Sequence, residues 1–240
     1  MDSSIVYEQS LVEGIRMTRI GIIGSGHIGG NLARFLARAG HDIVISFSTD
    51  RGKLDTLAAE SGARAGTPAE AAAHGEIVVF SVPWRAVDTA LEQAGGAAAL
   101  AGKTVIDTTN KFGTVGGSFG VLDLDGKSAA ETNAAKAPGA TWVKAFNTLT
   151  AGFQASASGR TGPDRVVMFY ASNSEDAAAA AEGLIRQAGF DPVRTGTLAR
   201  TDVGHQEPKG DLYGEEFHHD DAVGAVRRLR GTLPAGTGRP

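Results

Sequence analysis

The residues best placed for chemistry form a turn, Gly24-Ser25-Gly26-His27-Ile28-Gly29, directly after the apolar run Ile20-Gly21-Ile22-Ile23. Glycines at this spacing, between a strand and a helix, are suited to holding the pyrophosphate of a dinucleotide. Gly24 permits the tight turn, Gly26 lets phosphate approach the backbone, and Gly29 lets the helix lie against the strand. The helix then offers unpaired N–H groups and the positive end of its dipole. His27 either grazes the phosphates or faces solvent. The alternative, a glycine-rich turn without a ligand, is disfavoured because strand, turn, helix and second strand arrive in the expected order.

The end of the second strand discriminates between nicotinamide dinucleotides. An acid there would bond the ribose 2′-hydroxyl of NAD and repel a 2′-phosphate. The chain reads Ser46-Phe47-Ser48-Thr49-Asp50-Arg51. Hydroxyl donors and a guanidinium suit a phosphate dianion, which favours NADP(H), with Ser46, Ser48, Thr49 and Arg51 as its contacts. Asp50 argues for NAD if its side chain turns inward, and Arg51 and Lys53 also read as the solvated start of a helix.

Two later strand ends should complete the cleft, because ligands in such sheets bind beyond the carboxyl ends of strands. The first is Phe80-Ser81-Val82-Pro83-Trp84, where Pro83 forms a rigid wall and Trp84 is either a stacking surface or a core plug. The second is Ile106-Asp107-Thr108-Thr109-Asn110, whose polar groups either bond the nicotinamide-side ribose or cap a loop. Farther on, Asn147 and Thr148 follow Val143-Lys144-Ala145-Phe146 and face the region where the nicotinamide carboxamide and a second substrate meet. Lys144 reads as pointing to solvent. No constellation of catalytic His, Lys or Tyr emerges; Asn147, Thr148 and His205 are the candidates if a side chain is needed. His218-His219-Asp220-Asp221 has metal-ligand residue types, but adjacent residues cannot converge on one ion, so it reads as a solvated acidic patch and no metal site is expected.

These residues must be positioned by strands alternating with helices. Strands are expected at Arg19 to Ile23, Asp42 to Ser46, Glu76 to Ser81, Thr104 to Asp107, Thr141 to Ala145, Arg165 to Tyr170 and Asp191 to Arg194. Helices are expected at Ile28 to Ala39, Leu54 to Ser61, from Thr67-Pro68, Arg85 to Ala94, Ala129 to Ala137, Thr150 to Ala157 and Ser174 to Ala188. Asn110 to Gly126, rich in glycine, reads as an irregular loop. The pattern predicts an α/β fold: one compact, doubly wound Rossmann domain with a mostly parallel sheet and added C-terminal strands. Residues 1–17 read as a loosely ordered N-terminal extension, 18–200 as the NADP-binding domain, and 201–240 as a polar segment and tail.

Composition narrows the classes. The 240 residues carry no cysteine, which excludes disulfides, thiolate metal sites and a cysteine nucleophile. A net charge of −4 shows no basic footprint, so nucleic acid is not an expected partner. No apolar run approaches the roughly 18 residues that span a bilayer. A cytoplasmic protein acting on a small-molecule redox substrate is the expectation, as a homodimer because twofold pairs are the commonest assembly.

The chain resembles the short NADP oxidoreductases typified by coenzyme F420-dependent NADP reductases. The resemblance rests on Ile20 to Gly40, Val82-Pro83-Trp84-Arg85-Ala86-Val87-Asp88-Thr89-Ala90, Val143 to Thr148, and Ser174 to Thr195 with the following Gly196-Thr197-Leu198-Ala199. It implies hydride transfer between NADP(H) and a flavin-like or deazaflavin acceptor, such as F420, FMN or FAD. It also implies that Gly24 to Gly29 hold the pyrophosphate, that Ser46, Ser48, Thr49 and Arg51 hold the 2′-phosphate, and that Val82, Pro83 and Asn110 line the nicotinamide half, next to Ser81. Three departures stand out. Thr49 occupies the place of an arginine, Asn147 that of a histidine, and polar Gly210 to Glu216 that of an apolar helix. An NADP(H)-binding redox sensor without turnover is the second reading.

Overall fold

The computed structural model describes residues 17–47 and 49–231; the expected extension, apart from Met17, the end of the tail and Ser48 lie outside the described residues. The chain begins with β1 (Arg19–Ile23), α1 (His27–Arg38), β2 (Asp42–Ser46), α2 (Arg51–Ser61), β3 (Arg64–Ala65), α3 (Pro68–His74) and β4 (Ile77–Phe80). After a short 3₁₀ turn at Trp84–Ala86 come α4 (Val87–Gln93), α5 (Gly96–Leu100) and β5 (Thr104–Asp107). Then follow β6 (Phe112–Val115), β7 (Ser118–Val121), α6 (Ala129–Lys136), β8 (Thr141–Ala145) and α7 (Ala151–Ala157). The chain closes with β9 (Val167–Ser172), α8 (Glu175–Gln187), β10 (Asp191–Gly196), α9 (Arg200–Val203) and α10 (His219–Gly231).

Eight strands form one sheet in the order β10-β9-β8-β5-β4-β1-β2-β3. All neighbours run parallel except β8 and β9, which pair antiparallel. The order reverses between β1 and β4, and such a switch point opens a crevice at the carboxyl ends of the strands. The Rossmann arrangement with added C-terminal strands is therefore present.

Sequence explains the elements locally. The central strands are near-continuous apolar runs because helices cover both faces. One core, built on Ile20, Ile22, Leu32, Leu36, Ile106 and Val143, lies under α1 and α8. The other, built on Ile23, Val78, Phe80, Val105 and Trp142, lies under α3, α4 and α6. Helix starts follow their caps: Thr67 and Glu70 form a capping box on α3, Ser128 and Glu131 another on α6, and Ser174 caps α8.

Besides the short elements β3, α5 and α9, two longer segments differ from the reading of the sequence. The expected loop at 110–126 contains the β6–β7 hairpin, turned by Gly116 and Gly117, both at positive φ. A Gly-Gly pair at a two-residue hairpin turn supplies those angles without strain. Within the C-terminal segment, 219–231 is a helix that the sequence reading lacks, with Asp220 and Asp221 exposed in its first turn. Its Ala222, Ala225 and Val226 cover Val167, Phe169 and Val193 on the outer strands. Asp220 and Asp221 sit at its positive end, while Arg228 and Arg230 sit in its last turn. No described helix is long and apolar enough to cross a membrane.

The packing at Gly21 is tight: a Cβ there would lie 1.9 Å from the carbonyl oxygen of Ala71 in α3. Relieving an overlap with backbone means shifting a helix, at a cost of about 1–3 kcal/mol or more. Gly21→Ala is expected to lower the denaturant midpoint without changing the unfolding slope; an unchanged midpoint would mean that α3 yields freely.

Candidate functional site

The glycine turn sits where β1 meets α1. Gly24 has φ +125°, and a Cβ there would come within 2.0 Å of the Ser81 carbonyl at the end of β4. A Cβ on Gly29 would lie 1.9 Å from the carbonyl of Gly24. These two glycines therefore serve the fold. Gly26 differs: nothing lies within 4 Å of its Cβ position. It is the N-cap of α1 in extended conformation, and no side chain caps the helix. The first amides of α1 therefore have neither an intrahelical partner nor a cap, and open space lies before them. That is the fit expected of a phosphate cradle. Ser25 is tied back, its amide and hydroxyl both donating to the Phe47 carbonyl at 3.4 and 3.2 Å. His27 is exposed and Ile28 packs against the core.

From the turn a cleft of about 720 Å³ runs between the ends of β2 and β4. Thr49 and Arg51 line it, together with Phe47, Pro83 and Arg85. Arg85 was not among the predicted contacts. It follows the strand end at Pro83-Trp84, which was signal enough to consider it. Asp50 does not line this cleft. Its carboxylate caps α2, accepting from the Lys53 amide at 3.1 Å. The acid that could have argued for NAD is thus spent on a helix. Ser46 is a correction: it is fully buried and its hydroxyl donates to the Ile22 carbonyl at 3.0 Å, because the side chain faces inward at the end of β2. Ser48 lies outside the described residues. A second groove, of about 740 Å³, borders the same turn on its outer flank among α1, α2 and α7. It runs between helices, away from the strand ends.

The nicotinamide half is expected toward the ends of β5 and β8. Ser81 accepts a hydrogen bond from Thr108 at 2.9 Å, tying the ends of β4 and β5 together. Val82 is buried, Pro83 forms wall, and Trp84 packs against the core as a plug. Asn110 donates to the Asn147 carbonyl at 2.9 Å and to the Tyr213 hydroxyl at 3.4 Å. Asn147 donates to Asn110 Oδ1 at 3.2 Å and to the Gln206 carbonyl at 2.7 Å. Its own Oδ1 accepts from Gln206 at 3.2 Å. Phe146, before it, holds a left-handed φ of 58° that turns the chain after β8. Asn147 is therefore an internal brace, a correction to its expected place at the carboxamide. Thr148 is buried with its hydroxyl against the Met168 sulfur, so it does not reach the cleft. His205 pairs with Asp211 at 2.9 Å and borders a small hollow with Leu212, Val226 and Arg230, on the α10 side of the molecule. Gln206 and Tyr213 were missed; only the fold brings the 201–213 segment to the ends of β5 and β8.

Lys144 also departs from expectation. It is wholly buried and its ammonium lies 3.1 Å from the Asp107 carboxylate, itself 1% exposed. It donates further to the Thr109 carbonyl. Asn133 donates to Asp107 at 3.1 Å and to Thr109 at 2.9 Å, and the Thr109 amide donates to Asp107 at 2.8 Å. Such a pair offsets its desolvation only when further hydrogen bonds surround it, as here. The network fixes the bend after β5 and so places Asn110.

A doubly wound sheet with open helix amides at its switch point is the architecture of a dinucleotide-binding domain. The family described as NADP oxidoreductase, coenzyme F420-dependent, matches residues 19–111. A hypothetical protein of Sinorhizobium meliloti, SMa0349, is 30% identical, with a TM-score of 0.74 over 90% of this chain and 100% of that one. A candidate F420-dependent NADP reductase of Arthrobacter sp. FB24 is 24% identical, with a TM-score of 0.69 over 90% and 94%. A reductive aminase of Aspergillus terreus, solved with NADPH and ethyl-5-oxohexanoate, is 24% identical with a TM-score of 0.56; the match covers 80% of this chain and 59% of that one. No functionally curated protein matches the sequence. The chain belongs to the family of coenzyme F420-dependent-type NADP oxidoreductases and is an NADP(H)-dependent oxidoreductase.

Two expectations test the site. Gly26→Ala should leave the thermal midpoint nearly unchanged yet weaken NADPH and NADH alike, because the new methyl enters only the space before the amides; equal affinity for the variant would remove phosphate from this turn. Lys144→Met should cost about 3–5 kcal/mol by stranding Asp107, and Lys144→Met with Asp107→Leu should cost less than the sum of the single changes, read by a denaturant double-mutant cycle.

Proposed function

We propose that the chain transfers hydride between NADP(H) and a flavin-like or deazaflavin acceptor, of the F420, FMN or FAD kind. The observation that carries this reading is at the nicotinamide end. Lys144, Asn147, Thr148 and Gln206 are all buried and engaged within the protein. Reducing a ketone or imine needs a positioned proton donor. Hydride passing between two ring systems needs alignment and exclusion of water but no side-chain acid. The balance is NADPH, oxidised acceptor and one proton giving NADP⁺ and the two-electron-reduced acceptor, with the proton drawn from water.

The chain's own residues then divide the work. Amides at the start of α1 hold the pyrophosphate. Thr49, Arg51 and Arg85 face the 2′-phosphate; Arg51 is at present held by Asp55 at 2.9 Å, in an exposed pair that a phosphate dianion outcompetes. Val82 and Pro83 wall the nicotinamide side, and Asn110, set by Asn147 and the buried pair, marks its far end. The bound nicotinamide supplies the hydride chemistry itself. The assembly we propose is a twofold pair.

The test is NADPH oxidation with FMN, FAD, F420 and a ferric chelate as acceptors. Saturable NADPH binding with no turnover on any of them would replace this reading with a redox sensor. For the cofactor, Arg51→Ala with Arg85→Ala should raise the NADPH dissociation constant by about tenfold or more, the scale of one lost charge-assisted hydrogen bond. NADH should change little in the same titration. Equal losses for both would mean that the 2′-phosphate is read elsewhere.

A further inference from the structure

The β6–β7 hairpin has no part in the chemistry above, yet it stands at the mouth of the site. Its register puts Phe112, Thr114, Phe119 and Val121 on one face. The rings of Phe112 and Phe119 stack with centroids 5.3 Å apart and planes 27° from parallel. Phe112 also meets Tyr213 edge-on at 6.4 Å. Phe119 is 80% exposed. A single exposed apolar residue is ordinary. Here, however, three rings form a ridge whose inner end is Tyr213, the residue bonded to Asn110. β6 lies beside the Trp84–Ala86 turn after β4. The ridge therefore begins beside Asn110 and the turn that carries Arg85 to the cleft, and runs outward. Burial pushes the Tyr213 phenol pKa up, and its oxygen accepts from Asn110.

A second observation lies at the base of the hairpin. Lys111, Val121 and Leu122 border a hollow of about 600 Å³ that Arg200 and Lys209 also line. Its buried carboxylate, Glu207, is already held by the Ala130 amide at 3.2 Å and by Lys111 at 3.5 Å. Asp123 is the other acid there. Arg200 and Lys209 enter no ion pair among the described residues. The hollow thus keeps a surplus of positive charge next to an exposed aromatic face.

We propose that the hairpin 112–121 is the docking element for the electron acceptor: the Phe112–Phe119 ridge stacks a planar polycyclic ring, and the hollow lined by Arg200 and Lys209 takes an anionic side chain. The inference rests on the hydride-transfer reading and adds to it the element that recognises the acceptor. Aromatic stacking is sequestering without being selective for ring substituents, whereas the cations select for the charged chain.

Binding is measured directly, by flavin fluorescence for FMN and riboflavin and by F420 fluorescence, alongside NADPH titration and sedimentation. Riboflavin has the ring of FMN without its phosphate. Phe119→Ala is expected to raise the dissociation constants of FMN, riboflavin and F420 by about tenfold, the scale of one lost stacking contact, while NADPH affinity stays unchanged. Arg200→Ala with Lys209→Ala should weaken FMN and F420 and leave riboflavin as it was; the larger loss identifies which anionic chain the hollow fits. Unchanged constants for all three ligands in both variants would overturn the proposal. So would a Phe119→Ala protein that loses only a dimer, which would make the ridge an interface between copies. If no acceptor is turned over by the native protein but Phe119→Ala still releases FMN, the ridge stands and the hydride-transfer reading falls.

Discussion

Three main-chain crossings in the first half of the molecule leave no room for a Cβ, and the site depends on them. β1 meets α3 at Gly21, the phosphate turn meets the end of β4 at Gly24, and α1 meets the turn at Gly29, each with a carbonyl oxygen about 2 Å from the missing atom. The interior is close-packed, so such approaches fix distance more tightly than side-chain contacts do. Together they hold the open end of α1 over the crevice between β1 and β4. Gly26 is the exception that gives the others meaning: it is the one glycine of the turn with free space at its Cβ, and that space faces the unpaired amides.

The second half of the site is held differently. Between β5 and β8 the fixed point is a charge pair, Lys144 with Asp107, in an interior where an unpaired charge would be costly. Pairing alone would not repay the loss of water. Asn133, Thr109 and the bend of backbone after β5 complete the hydrogen bonding, and that bend carries Asn110. Gln206 then links the same region to the C-terminal segment through Asn147. Polar residues that look like chemistry in the sequence are here the means by which one loop is placed.

Legibility follows this division. The main strands, the helices with capping side chains and the glycine turn are local features, and a strand, a glycine turn and a helix can be read in sequence without knowing what surrounds them. Thr49 and Arg51 fall at the cleft for the same reason, since the end of β2 is set by its register with β1. Ser46 was misplaced because strand residues alternate between faces, and a one-residue shift separates the cleft from the core. The hairpin was hidden by its glycines, which weaken the alternation that marks a strand. Helix α10 was hidden by its charges: Ala222, Ala225 and Val226 form a narrow stripe that gains meaning only once Val167, Phe169 and Val193 need covering. Lys144 could not be told from a solvent-facing lysine until β5 put Asp107 beside it.

The same division governs how the two ends of the cofactor cleft can change. The proposed grip on the pyrophosphate is main chain, and any side chain added at Gly24 or Gly29 would first have to move packed backbone. The groups proposed to distinguish one dinucleotide from another are exposed side chains, Thr49 and Arg51 at the start of α2, with Arg85 across the cleft. They carry little of the fold's stability, because exposed pairs such as Arg51 with Asp55 contribute about 1 kcal/mol at most. Cofactor preference can therefore be exchanged at almost no structural cost, while binding of a dinucleotide as such cannot.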